Sequence, residues 1–417
     1  MFMLLSIILV TQSLYGHCLS ILHQPEPSGH SPQQVHLALA SSPDAMVVSW
    51  VTMNSTSPVS AKYGTSEKLL KSMTRGSTVP FTFEGTTRYM HSAEMKKLTS
   101  GTKYYYKVGS PSGWSKTFSF RTFPNGTNFS FRVCIFGDLG LFSGMSIEDL
   151  KKAAKRADFD LIIHIGDIAY DMHTDGPLGN RGDLFMREME EIFSRFNMPN
   201  DPEKANQYYS FDLGPVHFVG VSTEYINFWQ KYGPSLAAKQ QKWLKRDLEA
   251  AVKNRDKVPW IITYQHRPFY CSNVETHGCA TYEHTIIRIG DKDIEGLEPV
   301  YTKYRVDVVF SGHVHSYERF LPMINYQLVH KRNKISPFSS AKSNPYHQSM
   351  VPIHVLTGAA GCGAGHSPFG SPIVGSAVRL NKYGYTLMTV VSPKRIVIQQ
   401  ISVEPGPRVV DSFTITK

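Results

Sequence analysis

Short hydrophobic runs that alternate with polar residues dominate the first third of the chain. Residues 24–124 contain six such runs, rich in aromatic and β-branched residues and separated by turn-forming residues: VHLALA, AMVVSWVT, AKYGT, RYMHSAEM, TKYYYKVG and KTFSFRTF. Strands of this length and spacing are typical of an all-β sandwich. The segment FPNGTN, which is rich in turn formers, then predicts a linker.

The hydrophobic pattern changes after the linker, where apolar strands alternate with amphipathic helices. Runs such as FSFRVCIFGD, DLIIHIGD, VPWIITYQH and VDVVFSGHVH predict strands, and SIEDLKKAAKRADF and SLAAKQQKWLKRDLEAAVKN predict helices. Ser146 and Asp149 have the spacing of a helix capping box. Residues 128–417 are therefore predicted to form an α/β domain of the βαβαβ type, with a closing β segment that completes a second sheet.

Composition supports a globular protein of two or three domains, because 41% of its 417 residues are hydrophobic and 12% are aromatic. The net charge of +10 is scattered along the chain, so no nucleic-acid-binding stripe is predicted. Residues 1–20 resemble a secretory signal peptide, and no later stretch reaches the length of a membrane span. The oligomeric state is left open.

Three glycosylation sequons are consistent with a secretory route. They begin at Asn54, Asn125 and Asn128. A glycoprotein that is secreted or lysosomal is therefore predicted.

Cysteine usage adds one candidate disulfide. Cys271 and Cys279, eight residues apart, could close a loop, whereas Cys134 lies in an apolar strand and is predicted to be a buried thiol. The sequence contains no Cys-x-x-Cys motif, so a zinc-finger or thioredoxin-like site has no support.

Metal-capable side chains follow one strand after another in the α/β region. They are Asp138, Asp167 with Tyr170 close by, His266, His313 and His315. Taken singly, an Asp after a strand is most often a turn residue and a lone His is usually structural. The carboxyl ends of strands form the functional edge of open α/β folds, and glycines flank these residues. The repetition therefore predicts a dinuclear metal site.

Four motifs carry a family resemblance. GDLG (137–140), GDIAYD (166–171), HRPFYCSN (266–273) and GHVHSYER (312–319) resemble the block motifs of purple acid phosphatases, within the calcineurin-like metallophosphoesterases. The resemblance is closest to the long animal form of that family and covers nearly the whole mature chain. The sandwich segment TSGTKYYYKVGS followed by SFRTFP resembles a fibronectin type III domain. An N-terminal fibronectin III-like domain and a metallophosphoesterase domain are thus expected.

The resemblance implies a role for each candidate ligand. It assigns four residues to a ferric ion: Asp138, Asp167, Tyr170 and His315. It assigns His266 and His313 to a second divalent ion (zinc, iron or manganese), with Asp167 bridging the two metals. Hard anionic donors suit Fe(III), and neutral imidazoles suit a divalent ion. The implied activity is hydrolysis of phosphate monoesters at acidic pH, with a metal-bound hydroxide as nucleophile.

One block of the family pattern is missing. The family has a Gly-Asn-His-Glu block whose Asn binds the divalent metal and whose His contacts the substrate phosphate. No Asn-His pair occurs in this chain, and Ile192 meets Phe193 where the block belongs, which indicates an internal deletion. The alternative prediction is therefore a catalytically impaired or inactive isoform. His277 could replace the phosphate contact or donate a proton, although a structural role is the simpler interpretation.

An Arg-Gly-Asp tripeptide, Arg181 to Asp183, offers a third hypothesis. It would make the protein an adhesion module. The tripeptide opens a predicted helix instead of a flexible loop, so this hypothesis ranks below the other two.

Overall fold

The computed structural model describes residues 28–83, 85–170, 180–190, 207–274, 279, 281–329 and 344–417. The predicted signal peptide, His277 and the Ile192–Phe193 junction lie outside these residues. The chain divides into two compact units. The first comprises residues 1–123, 140–144 and 169–197, and the second comprises 124–139, 145–168 and 198–417.

The first unit is a β-sandwich. Its strands are β1 (Gln33–Leu39), β2 (Met46–Thr52), β3 (Ser60–Gly64), β4 (Ser72–Arg75), β5 (Ser77–Phe83), β6 (Thr86–Met95), β7 (Lys103–Ser110), β8 (Gly113–Trp114) and β9 (Phe118–Arg121). One sheet has the order β1-β2-β6-β5, and the other has the order β4-β3-β7-β8 with β9 also on β7. Trp50 and Val48 of the first sheet share a core with Ala61 and Tyr106 of the second.

The sandwich contains strands that the hydrophobic pattern did not predict, namely β4, β5 and β8. Every residue of β5 is exposed, so it lacks the in–out alternation that marks a half-buried strand. Strand β8 is two residues long, which is too short for any periodic pattern.

The helices of the described residues are α1 (Ile147–Lys155), α2 (Asn180–Glu190), α3 (Glu224–Asn227), α4 (Trp229–Tyr232), α5 (Ser235–Lys253), α6 (Tyr282–Ile289) and α7 (Leu297–Lys303). Among these residues, no helix combines the length and apolar character needed to cross a membrane.

Among the described residues, the second unit contains two large sheets and a two-stranded ribbon of Met323–Ile324 and Gln327–Leu328. Its strands are β10 (Phe131–Phe136), β11 (Leu139–Gly140), β12 (Leu161–His164), β13 (Ile168–Ala169), β14 (Tyr209–Leu213), β15 (Val216–Val221), β16 (Trp260–Gln265), β17 (Val308–Ser311), β18 (Tyr317–Phe320), β19 (Met323–Ile324), β20 (Gln327–Leu328), β21 (Ile353–Thr357), β22 (Ser376–Leu380), β23 (Gly384–Ser392), β24 (Arg395–Ser402) and β25 (Arg408–Thr416), of which β11 and β13 lie at the unit boundary.

The seven-stranded sheet has the order β14-β15-β16-β17-β21-β18-β22, and β15, β16, β17 and β21 run parallel. The five-stranded sheet has the order β12-β10-β23-β24-β25. The closing segment therefore does complete a second sheet, while β21 joins the first. This two-sheet α/β arrangement confirms the predicted fold class.

The predicted capping box of α1 is wrong. Ser146 has helical backbone angles (φ −89°, ψ −10°) and makes no side-chain capping bond. A capping side chain needs an extended backbone at this position to reach the first amides of the helix. Asp149 instead accepts a 2.9 Å hydrogen bond from the Tyr385 hydroxyl, which links α1 to β23.

The Arg-Gly-Asp tripeptide is half-buried in the first unit. Asp183 on α2 accepts hydrogen bonds of 2.6 to 3.0 Å from the Arg88 guanidinium of β6 and one of 2.9 Å from Gln34. Its side chain is 13% exposed. A carboxylate held in this way joins a helix to a sheet and offers little surface to an adhesion receptor.

The cysteines are arranged as follows. Cys271 and Cys279 form a disulfide with their Cα atoms 5.3 Å apart. Cys134, in β10, is a fully buried thiol outside the disulfide, as predicted, and Cys362 is also buried and outside it.

Candidate metal centre

The candidate ligands stand where strands of both sheets end. Asp138 lies two residues beyond β10, and Asp167 lies three residues beyond β12. His266 directly follows β16, and His313 lies two residues beyond β17. Backbone hydrogen bonds connect neighbouring ends, since the Asp138 amide donates to the Gly166 carbonyl at 3.0 Å. The parallel strands thus deliver their carboxyl-terminal residues to one place.

Three of these side chains form a compact donor cluster. Ligand atoms of Asp167, His266 and His313 all lie within 4.8 Å of one another. Oδ1 of Asp167 is 3.3 Å from Nε2 of His266. The His266 and His313 rings meet edge to face with centroids 5.0 Å apart. A carboxylate and two imidazoles at this separation are a donor set suited to a divalent cation.

A second group surrounds Asp138, which is fully buried. Its Oδ1 is 3.5 Å from Nε2 of His315, and its Oδ2 accepts a 2.8 Å hydrogen bond from the backbone amide of His313. The His315 amide in turn donates to the Ser367 hydroxyl at 3.1 Å. Asp138 and His315 therefore lie next to the donor cluster.

Backbone carbonyls set the orientation of two of the histidines. Nδ1 of His266 lies 3.2 Å from the Ile165 carbonyl, and Nδ1 of His315 lies 3.2 Å from the Gly365 carbonyl. Because a carbonyl only accepts, each Nδ1 carries the hydrogen and Nε2 faces a carboxylate. This is the arrangement by which metal-binding histidines are held in one tautomer.

Backbone conformation shows that these positions are specialised. Asp138, Asp167 and His313 have φ values of 63°, 49° and 71°, a left-handed region that costs free energy for residues other than glycine. A Cβ at Gly166 would lie 2.4 Å from Nδ1 of His266, and one at Gly312 would lie 2.6 Å from Oδ2 of Asp138. Both glycines are therefore required by close approach of a candidate ligand.

The electrostatics favour a bound cation. Burial lowers the pKa of His266, but the hydrogen bond to Asp167 and the charge of Asp138 outweigh burial, so this pKa is raised. Burial also opposes protonation of His315, yet its hydrogen bonds to Asp138 and Cys362 raise its pKa to about 10. The carboxylates of Asp138 and Asp167 thus favour the protonated, positively charged form of the His266 and His315 rings. A metal ion can take the place of those protons, so the residues fit a metal centre.

The pKa of His313 is lowered, in contrast to those of His266 and His315. Burial, followed by the nearby positive charges of His266 and Arg267, lowers its pKa to about 2. It is therefore a neutral imidazole, which is the form that binds a metal.

Tyr170 belongs to the first compact unit, whereas the other five predicted ligands belong to the second. It follows β13, has a φ of 48° and is partly buried. Its role as a ligand stays a prediction. The sequon residues Asn54, Asn125 and Asn128 are all exposed.

Two residues beside the cluster were not singled out from the sequence. Nη1 of Arg267 is 3.0 Å from Nε2 of His313. The fully buried His284 ring lies 5.6 Å from the His313 ring, and its Nδ1 donates to the Pro268 carbonyl at 2.9 Å. Arg267 directly follows His266 in the quoted motif, so its position could have been noticed. His284 lies in an amphipathic helix and carries no local signal.

Family models match most of the chain. The model described as "Purple acid Phosphatase, N-terminal domain" matches residues 32–122. "Calcineurin-like phosphoesterase" matches 131–317, and "Iron/zinc purple acid phosphatase-like protein C" matches 351–412. The fold and the site thus define a calcineurin-like phosphoesterase preceded by a purple acid phosphatase N-terminal domain.

Individual relatives agree with these models. Acid phosphatase type 7 of Homo sapiens is 36% identical over 93% of this chain and 91% of its own length. Purple acid phosphatase 21 of Arabidopsis thaliana is 31% identical over 70% of this chain and 68% of its own. The chain belongs to the purple acid phosphatase family, a family of phosphatases. A purple acid phosphatase from yellow lupin (Lupinus luteus) seeds shares the fold, with a TM-score of 0.76 at 23% identity over 93% of this chain and 74% of that chain.

Proposed function

We propose that this protein hydrolyses phosphate monoesters at acidic pH, using a ferric ion and a divalent metal ion held by residues that follow strands β10, β12, β13, β16 and β17. We also propose that it is a glycoprotein, secreted or lysosomal. The observation that carries the catalytic proposal is the cluster of Asp167, His266 and His313, with donor atoms within 4.8 Å, beside the pair Asp138–His315. Family membership supports phosphoester hydrolysis as the reaction class.

The residues divide into two donor sets. Asp138, Asp167 and His315, with Tyr170 as the phenolate, would hold the ferric ion because anionic oxygens suit Fe(III). His266 and His313, together with Asp167 as a ligand shared by both ions, would hold the divalent zinc, iron or manganese ion. When bound, two such ions lower the pKa of water and offset the negative charge of the phosphate.

The chain's own contribution is orientation. The carbonyls of Ile165 and Gly365 fix the His266 and His315 rings, and the His313 amide fixes the Asp138 carboxylate. Burial keeps His313 neutral, so a ligand is ready without the loss of a proton. The site is thus preorganised before substrate arrives.

The decisive experiment measures iron content, the visible absorption band and turnover of an aryl phosphate at pH 5 on the purified full chain. The catalytic proposal expects bound iron, a coloured protein and turnover that Asp167→Asn and His313→Ala abolish. A colourless, iron-free and inactive protein would contradict it and favour the impaired isoform that the missing Gly-Asn-His-Glu block suggests. A mass decrease after glycosidase treatment of secreted protein tests the glycoprotein proposal.

A further inference from the structure

Arg267 is held beside the donor cluster by contacts on several sides. Its Nε donates a 2.9 Å hydrogen bond to Oε1 of Glu224, and its backbone amide donates to the Thr223 hydroxyl at 3.1 Å. Its Nη1 lies 3.0 Å from Nε2 of His313. The side chain is 11% exposed, so the guanidinium is largely withdrawn from bulk water.

The partners of Arg267 come from a neighbouring strand end. Glu224 opens α3, shortly after β15, whereas Arg267 follows β16, and these two strands pair in parallel. The Phe228 ring, 5.7 Å from the guanidinium carbon, packs on the same group. The guanidinium is therefore preorganised, and little conformational entropy is lost when it binds a ligand.

The guanidinium of Arg267 is suited to bind the oxygens of a phosphate. The planar guanidinium with five N–H groups matches the oxygens of a phosphate and can keep Nε on Glu224 while Nη groups turn to the ligand. Nη1 is one hydrogen-bond length from a predicted metal ligand. An oxyanion at the Asp167–His266–His313 cluster would thus be within reach of Arg267.

The sequence gives a reason to look for another source of positive charge for the phosphate. The family resemblance implies a Gly-Asn-His-Glu block whose histidine contacts the substrate phosphate, and the chain has no Asn-His pair. A guanidinium adjoining the same ligands can provide positive charge for that phosphate.

We propose that Arg267 contacts the phosphate group of the substrate and of the inorganic phosphate product, and that Glu224 is its positioning residue. This inference rests on the proposed function, because it concerns the ligand of the same site. A purely structural role, in which the Arg267–Glu224 pair only joins α3 to the loop after β16, is the competing explanation.

The test titrates inorganic phosphate into the full, metal-loaded chain and measures steady-state kinetics with an aryl phosphate. Arg267→Gln should raise the phosphate Kd and the KM about 10- to 100-fold, as expected for the loss of a charged hydrogen bond. Arg267→Lys should fall between wild type and Arg267→Gln, since it keeps the charge and loses the planar fork. Glu224→Gln should weaken phosphate binding by a few-fold, through loss of positioning.

Arg156→Gln is the matched control, because Arg156 makes an exposed ion pair with Asp158 on the same unit. It should leave the phosphate Kd unchanged. Iron content and the visible band should be the same in all four variants. If Arg267→Gln binds phosphate as tightly as wild type, or loses iron and phosphate binding together, the proposal is overturned.

The two proposals fail in different ways. A wild-type chain that binds metal and phosphate but does not turn over an aryl phosphate contradicts the proposed function, while the phosphate titration still decides the role of Arg267. A wild-type chain that binds no phosphate contradicts the inference on Arg267 directly.

Discussion

The backbone amide of His313 donates a 2.8 Å hydrogen bond to Oδ2 of Asp138, although the two residues are 175 positions apart in the sequence. Asp138 follows a strand of the five-stranded sheet and His313 follows a strand of the seven-stranded sheet. Because the carboxylate is fully buried, this bond also satisfies a charge that would be costly to leave unpaired. Packing of the two sheets and assembly of the metal centre are therefore coupled.

Gly312 should be intolerant of any side chain. A Cβ there would lie 2.6 Å from Oδ2 of Asp138 and 3.5 Å from Cγ1 of Ile165. Gly312→Ala is expected to destabilise the fold by about 1–3 kcal/mol, as for other overpacked sites, and to lower bound iron. Thermal unfolding and metal analysis check this. Gly406→Ala, where a Cβ meets nothing within 4 Å, serves as control and should change neither quantity.

His217 should make the protein less stable as the pH rises above neutrality. Burial lowers its pKa, but hydrogen bonds to Asp212 at 2.6 Å and Asp247 at 2.9 Å outweigh burial and raise it to about 9. The folded state therefore holds a proton that the unfolded chain loses near pH 6.5. The resulting stabilisation is complete below pH 6.5 and is lost as the pH rises through about 9.

Urea unfolding at pH 6 and pH 9.5 measures this contribution, which should amount to about 2–3 kcal/mol in the wild type. His217→Gln should remove that part of the pH dependence. If the free energy of unfolding changes equally with pH in the wild type and in His217→Gln, the His217–Asp247 hydrogen bond does not involve a charged imidazole.

His354 should have the opposite effect at acidic pH. Burial, with a smaller contribution from the charge of Arg288, lowers its pKa to about 3, and its ring packs between Phe269 and Tyr270. Below pH 6.5 His354 is protonated in the unfolded chain but stays neutral in the folded chain. The free energy of unfolding therefore falls as the pH drops toward 3.

His354→Leu should abolish a loss of about 2 kcal/mol between pH 7 and pH 5, measured by urea unfolding. His347→Leu, at an exposed position, is the control and should retain the wild-type loss. A variant at His354 that destabilises the protein equally at both pH values would indicate a packing role alone.

Asp183 should matter for stability and not for adhesion. Its ion pair with Arg88 leaves the two side chains only 13% and 9% exposed. Asp183→Asn would remove the negative charge that Asp183 supplies to a buried guanidinium, at a cost of about 3–5 kcal/mol. Glu94→Gln, which breaks an exposed pair with Lys96, should cost less than about 1 kcal/mol.

Thermal unfolding distinguishes these two variants, and cell attachment to immobilised protein should be equal for both. Attachment that depends on Asp183 in a variant of unchanged stability would restore the adhesion hypothesis.

The sequence by itself determined most of the strands and the side chains that follow the strands of the second unit. Hydrophobic periodicity depends only on neighbouring residues, so it predicted the parallel strands of the second unit and most strands of the sandwich. Glycines beside Asp138, Asp167 and His313 marked the positions where a strand stops and a side chain is presented. Those local signals were enough to predict the fold class and the family.

Only the tertiary structure decided which of these ends meet. Strand β5 exists because β6 pairs with it, not because its own pattern demands it. Asp149 bonds Tyr385, 236 residues away, in place of the local capping bond that its spacing suggested. Arg267 lies against Glu224 and His313 because three strand ends converge. Such contacts are set by packing and pairing between distant segments, for which no single stretch of sequence holds the information.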